Sequence, residues 1–492
     1  MKVAPHPRGL GVRGCALLLS LAVEPAAAAP PPPPPVGALP SPRQLAWQEL
    51  GYYGFIHFTV NTFTDREWGL GDEDPAVFAP TALDARQWAR VAREAGMKGL
   101  ILTAKHHDGF CLWPSQYTEH SVKSSPWRGG RGDVVGELAE ACRAEGLKLG
   151  LYLSPWDRHH AAYGRSTYLE YYRRQLEELL TRYGPLFEVW FDGANGGDGY
   201  YGGAREKRQI DGAAYYGWPV TWGLVRELQP QAVLFSDSGP DVRWVGNEKG
   251  LAFETAWMPI DLGRIYPGSP DYPPLAAGRP DGADWVPPEV DVSIRPGWFH
   301  HPSEDDKVKT VAELIEIYYA SFGRSANLLL NIPPDRRGLI PDADIERLQG
   351  LRRYLDATFE TDLARGASAT ATGVRGAARE FAAGNAIDGN PATYWATDDG
   401  VVTGALELTL AEPRRFDQVA VREAVALGQR VEEWAIEAEV DGAWRKLAQA
   451  TTIGIRRIVR FPPVQASRVR LVIVRARACP AIAEVSLHLS AR

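Results

Sequence analysis

From Gly51 to Phe359 the chain alternates between short apolar runs and longer stretches in which apolar residues recur every three or four positions. Short runs of that kind read as buried strands, and the longer periodic stretches as amphipathic helices. Strands are expected at Gly54 to Phe58, Gly99 to Thr103, Leu149 to Leu153, Phe187 to Phe191, Ala232 to Ser236, Leu251 to Thr255, Val290 to Ile294 and Asn327 to Asn331. Their alternation with helices predicts parallel strands joined by crossovers. Eight runs suit a (β/α)8 barrel over residues 45–363. Helix boundaries carry their own signals. Asp84 precedes Trp88, Val91 and Ala92; Asp133 precedes Leu138 and Cys142 and Gly146 follows; Ser166 to Tyr183 stops at Gly184. Pro341 to Leu363 predicts the last helix of this unit.

Beyond a small-residue linker at 364–376 the texture changes to short alternating runs separated by turns, such as Ala405 to Leu410, Gln418 to Val421, Trp434 to Glu439 and Arg468 to Val474. Residues 377–492 are therefore expected to form a β-sandwich, making the chain α/β plus all-β. The first 29 residues read as a secretory signal peptide: Lys2, Arg8 and Arg13 are basic, Ala16 to Val23 is apolar and Ala26 to Ala29 offers a small-residue cleavage zone. Its apolar run is too short to span a bilayer, so the expected location is secreted or periplasmic, with no membrane span. Residues 30–44, opening with Pro30 to Pro35, read as an extended proline-rich spacer. Cys111, Cys142 and Cys479 are scattered and odd in number, unlike a disulfide framework.

Composition then narrows the function. A formal net charge of −7 and the absence of a long basic run argue against nucleic acid as partner, because phosphate neutralisation needs clustered Lys and Arg. Sixteen Trp and nineteen Tyr are enough to supply both a core and ring faces on which sugars stack. Two segments place polar residues at the C-terminal ends of expected strands, where barrel enzymes keep their chemistry: Lys105-His106-His107-Asp108-Gly109-Phe110 and Val189-Trp190-Phe191-Asp192-Gly193. A metal set of His57, His106, His107 and Asp192 can be drawn. Adjacent residues of an extended segment point to opposite sides, however, which makes His106 and His107 poor joint ligands unless the backbone bulges.

The block Phe78-Ala79-Pro80, Trp88-Ala89, Ala95-Gly96 and Leu102 to Phe110, followed by Leu112-Trp113 and Trp190-Phe191-Asp192-Gly193, resembles glycoside hydrolase family 29, the α-L-fucosidases, over about residues 45 to 365. The resemblance implies a retaining exo-α-L-fucosidase acting on fucosylated oligosaccharides, with Asp192 as nucleophile. A retaining glycosidase needs a second carboxyl group about 5 to 5.5 Å from the first. Asp237, Asp241, Glu248 and Glu254 follow the fifth run. The segment Gly239 to Glu248 resembles the branch specialised for α-1,3 and α-1,4 fucose on Lewis-type glycans, which places the acid/base on Glu248, with Glu254 as alternative. The same resemblance carries fucose binding to His57, Glu67, Trp68, His106, His107, Tyr152, Trp190 and Arg295. A broad-specificity or α-1,2-active fucosidase, and an inert fucose-binding lectin on the same scaffold, are the rivals. Catalysis of this kind needs no cofactor.

In the C-terminal region, Asn385 to Trp395 resembles the opening of the discoidin-like (coagulation factor type C) sandwich. The resemblance implies a structural Ca²⁺ held by Asp388, Asn390, Thr393 and Glu484, whose hard oxygens suit that ion; a plain Asp-Gly turn is the alternative.

Overall fold

The structure is a computed structural model that describes residues 30–268 and 276–491. The expected signal peptide lies outside the described residues. Eight parallel strands close into a barrel in chain order: Tyr52–Ile56, Gly99–Lys105, Lys148–Leu153, Leu186–Trp190, Val233–Ser236, Val242–Trp244, Pro288–Ser293 and Asn327–Asn331, with the last pairing back onto the first. The helices form where the sequence signals them. The Asp84 carboxylate accepts the Arg86 N–H ahead of Ala85–Glu94, the Asp133 carboxylate accepts that of Gly136 ahead of Val134–Glu145, and Gly146 ends the latter at φ +70°.

The sixth strand corrects the sequence reading. It is Val242–Trp244, not Leu251 to Thr255, and only residues 237–241 separate it from the fifth, with no helix between. The chain is bent back by Asp241, whose carboxylate accepts the Leu234 N–H at 2.9 Å while its own N–H donates to the Leu234 carbonyl at 3.2 Å. Leu251 to Thr255 is a bridge to the second domain. Leu251 and Phe253 are exposed, Thr255 bonds Thr451 at 2.9 Å, and Glu254 pairs with Arg324 and Arg457. An apolar run was legible there, but its side chains do not enter the barrel.

Strand alternation sorts side chains to the two faces of the barrel. Tyr53, Phe55, Tyr152, Trp190, Phe235 and Leu329 fill its interior, while a larger apolar layer lies between sheet and helices. Inward positions rise in steps of two toward the C-terminal ends: Glu188, Trp190 and Asp192 on the fourth strand and its exit, and Val233, Phe235 and Asp237 on the fifth. The interior apolar plug thus gives way at the mouth to polar groups.

The second domain is antiparallel. Its two 20-residue strands, Gly404–Glu423 and Arg457–Ala476, are paired with each other, with bulges between Thr409 and Arg414 and between Phe416 and Gln418. The bends let the sheet fold around Trp395, Leu408, Trp434 and Leu471. Part of the expected linker is itself a strand, Ser368–Ala371, paired with Gly404–Glu423. The proline-rich segment is no free spacer either. Arg375 Nε donates to the Pro31 carbonyl at 2.7 Å, Arg430 Nη2 to that of Pro34 at 2.6 Å, and Val36 N to Leu427 O at 3.0 Å. Proline carbonyls have no partner along their own extended chain, so arginines of the sandwich satisfy them. Between barrel and sandwich runs a groove of about 550 Å³, lined by residues that include Glu49, Tyr52, Arg352, Asp356, Arg422, Arg456 and Glu484. Among the described residues no helix is long and apolar enough to cross a membrane.

Candidate active site

A cavity of about 470 Å³ opens at the C-terminal ends of the barrel strands. Its walls include His57, Trp68, His106, His107, Trp190, Asp192 and Glu248 from the sequence reading, together with Phe55, Asp237, Trp244, Asp291 and Trp298.

Asp192 leaves the fourth strand two residues after Trp190. Its Oδ1 accepts the Ala194 N–H at 2.7 Å and its Oδ2 accepts the Tyr152 hydroxyl at 3.1 Å, with His107 Nε2 at 3.8 Å from Oδ2. The carboxylate is therefore aimed by a backbone amide and a phenol while a quarter of the side chain stays open to the cavity. Tyr152 lies fully buried beneath it, stacked on Trp190 at 5.2 Å. Gly193 is required by close approach, because a Cβ there would sit 1.6 Å from Asp237 Oδ2.

The histidines are held neutral. Burial takes His57 down to about 3, drives His106 well below its usual range and lowers His107, which the Asp192 charge partly restores. His57 Nδ1 is bonded to Asn331 Oδ1 at 2.9 Å and His107 Nδ1 to Ser154 Oγ at 2.7 Å. Contrary to the alternation argument, His106 and His107 lie side by side, ring centroids 4.1 Å apart, both on the cavity. The second strand slips register between Thr103 and Lys105, and that bulge removes the opposition of successive side chains. The rest of the motif anchors them from behind: buried Lys105 donates to Asp157 and Gln175, each at 3.0 Å, and Asp108 accepts the Thr59 hydroxyl at 2.9 Å. Among the described residues no group of three or more His, Cys, Asp or Glu is placed to hold a metal.

Glu248 reaches the cavity from the loop after the sixth strand and accepts the Trp298 indole N–H at 3.2 Å. Desolvation raises its carboxyl above the usual range, and the charges of Asp192 and Glu67 add to that. Glu254 lies away from the cavity, in its arginine pairs. Asp241 faces Arg226 at 2.5 Å.

A family model described as alpha-L-fucosidase matches residues 46–360, and one described as F5/8 type C domain matches residues 367–485. The chain belongs to the α-L-fucosidase family. It is 43% identical to alpha-L-fucosidase 1 of Arabidopsis thaliana, over 92% of this chain and 87% of that one. Among solved structures it is similar to a glycoside hydrolase 29 family member from an unknown rumen bacterium, with 43% identity, a TM-score of 0.84 and coverage of 93% and 78% of the two chains. It is also similar to a Ruminococcus gnavus GH29 fucosidase in complex with fucose, at 33% identity and TM-score 0.84, covering 94% and 96%.

Within this fucosidase scaffold three expected sugar contacts have other work, the first being Tyr152, buried beneath the cavity with its hydroxyl given to Asp192. Arg295 is buried outside the cavity lining, its guanidinium bonded to both oxygens of Asp344 at 3.0 and 2.7 Å and to Asp305 at 2.8 Å, so it is held away from a ligand in the cavity. Glu67 accepts the backbone N–H groups of Trp298 at 2.8 Å and Phe299 at 3.0 Å and contacts His301 at 2.7 Å. It thereby fixes the loop that brings Trp298 to the cavity. Asp237, one of the candidates for the second carboxyl group, lines the cavity, whereas Trp298 and Asp291 were not singled out as ligand-facing by sequence. The signal for Asp291 was an acid pair, Glu289 and Asp291, inside an otherwise apolar run.

The residues expected to hold calcium lie in two places, Asp388, Asn390 and Thr393 in one turn and Glu484 on the groove between the domains. The Asp388 carboxylate already accepts the Asn390 N–H and the Thr393 hydroxyl, each at 2.8 Å, and Asn390 Oδ1 accepts the Ala392 N–H. The Arg365 guanidinium lies over Gly389, where a Cβ would be 2.2 Å from its Nη1, and Glu484 lines the groove with Arg365, Arg422 and Arg456.

Proposed function

We propose that this chain is a retaining exo-α-L-fucosidase that releases terminal L-fucose, with preference for α-1,3 and α-1,4 linkages on Lewis-type glycans. The observation that carries the reading is a pair of unlike carboxyl groups on one cavity: Asp192 aimed by two hydrogen-bond donors, and Glu248 with its proton favoured by burial. Such divergent environments separate nucleophile from acid. Asp192 attacks the anomeric carbon while Glu248 gives its proton to the departing glycosidic oxygen. Water then adds to the same carbon, giving a proton to Glu248 and breaking the fucosyl–aspartyl ester, so the configuration is retained. Neutral imidazoles of His57, His106 and His107 donate to and accept from sugar hydroxyls without competing for the charge on Asp192.

The linkage preference is supported by the Gly239 to Glu248 segment and by the indoles of Trp244 and Trp298 beside Glu248, which offer apolar faces to a second sugar. Export to the periplasm or medium is supported by the basic and apolar pattern of residues 1–29. The test is proton NMR of a hydrolysis in progress. α-L-Fucose is expected as the first anomer, and β-L-fucose would overturn the mechanism. Lewis trisaccharides are expected to be cleaved faster than 2'-fucosyllactose; equal rates would remove the linkage assignment.

A further inference from the structure

The cavity lining contains four carboxyl groups, Asp192, Asp237, Glu248 and Asp291, and among its described residues no Lys or Arg. Its three imidazoles are kept uncharged. Asp192, Glu248 and Asp291 share one wall beside uncharged imidazoles, and carboxylates so placed repel one another, which favours retained protons. Glu248 gives its proton up in each cycle and Asp192 works as an anion. Asp291 is 4% exposed, lies two residues along the seventh strand from the equally enclosed Glu289, and accepts the Trp244 indole N–H on Oδ1 at 2.7 Å.

We propose that Asp291 is a substrate-binding donor: a carboxylic acid, oriented by Trp244, that keeps its proton through the cycle and gives it as a hydrogen bond to a hydroxyl oxygen of the bound sugar. The inference rests on the fucosidase reading and adds to it a specificity-determining residue. Burial raises its carboxyl well above the usual range, and the charges of Glu248 and Glu289 act in the same direction. The other groups around the cavity are Asp192 and Asp237 from the fourth and fifth strands and neutral His57 from the first. Arg243 donates to the carbonyls of Trp257, Met258 and Val286, and Arg295 is committed to Asp344. A neutral acid so placed can serve an acceptor that a carboxylate would repel.

Asp291→Asn keeps a neutral donor and Asp291→Ala removes it. The Asn variant is expected to hold kcat/KM within a few fold of wild type with the alkaline limb of its pH profile unmoved, whereas the Ala variant loses about tenfold or more. An equal loss in both variants would overturn the proposal. A readout independent of turnover is the infrared difference spectrum of wild type minus Asp291→Asn at neutral pH, where the carbonyl band of a protonated carboxyl is expected; a carboxylate pair of bands instead would overturn it. Should fucoside hydrolysis itself fail, calorimetric titration with L-fucose applies the same Asn-against-Ala comparison to binding.

Discussion

The catalytic-end cavity and the groove between barrel and sandwich are similar in size, about 470 and 550 Å³, yet opposite in their charge economy. In the groove acids and bases neutralise one another: Arg422 pairs with Glu49, and Arg352 with Asp356 at 2.7 Å. In the cavity carboxyl groups face one another and neutral histidines, with no described Lys or Arg among the lining residues. Like charges held together cost stability and are tolerated where the reaction needs them. Volume does not separate the two hollows; the unbalanced charge does.

The hardest break of this contrast is Asp192→Ala. Turnover is expected to fall by roughly three orders of magnitude or more, since a nucleophile acts on the transition state and not on the core. Circular dichroism should show the fold unchanged, and azide should restore part of the rate by filling the vacated space. Near-normal activity would return Asp192 to a structural role.

Next in size, Glu248→Gln is expected to lower kcat/KM on natural oligosaccharides by roughly 10²- to 10⁴-fold, and by far less on aryl fucosides whose leaving group needs no proton. Only the protonated form of Glu248 serves the first step. Activity should therefore decline as pH rises through a value above the usual glutamate range, and the Gln variant should lack that limb. An unchanged limb would transfer it to another group.

Two substitutions sharpen the structural side. Asp344→Asn leaves the buried Arg295 guanidinium without its main partner, and a loss of about 3 kcal/mol is expected in urea unfolding, with KM unaltered. A raised KM with unaltered unfolding would restore Arg295 to the sugar. The smallest effect belongs to Glu254→Gln, whose exposed carboxylate pairs with Arg324 of the barrel and with the buried Arg457 of the sandwich. It should cost about 1 kcal/mol or less and leave kcat intact, which separates it from Glu248 in a single assay.

Much of this was legible in the chain because apolar runs bounded by polar turns report burial directly. The sixth strand was not, because three residues with no following helix leave no periodicity to read, while an exposed run nearby imitated one. His106 and His107 were found as residues but misjudged in direction, since a bulge is a property of register with the neighbouring strand. Asp291 and Trp298 escaped for related reasons. One lies inside a strand that otherwise looked apolar, and the other is carried to the cavity by the distant carboxylate of Glu67. Arg295 was carried to the sugar by resemblance alone, and its buried partner, 49 residues away, left no local sign of the pairing.

The proline-rich strap bears on synthesis as well as on stability. Pro31 and Pro34 leave the ribosome early, yet the arginines that receive their carbonyls, Arg375 and Arg430, stand 344 and 396 residues later. A growing chain must carry that segment undocked until nearly the whole polypeptide has been made. Closure of the two domains is then a late, long-range event, slow for the same reason that all contacts of large sequence separation are slow.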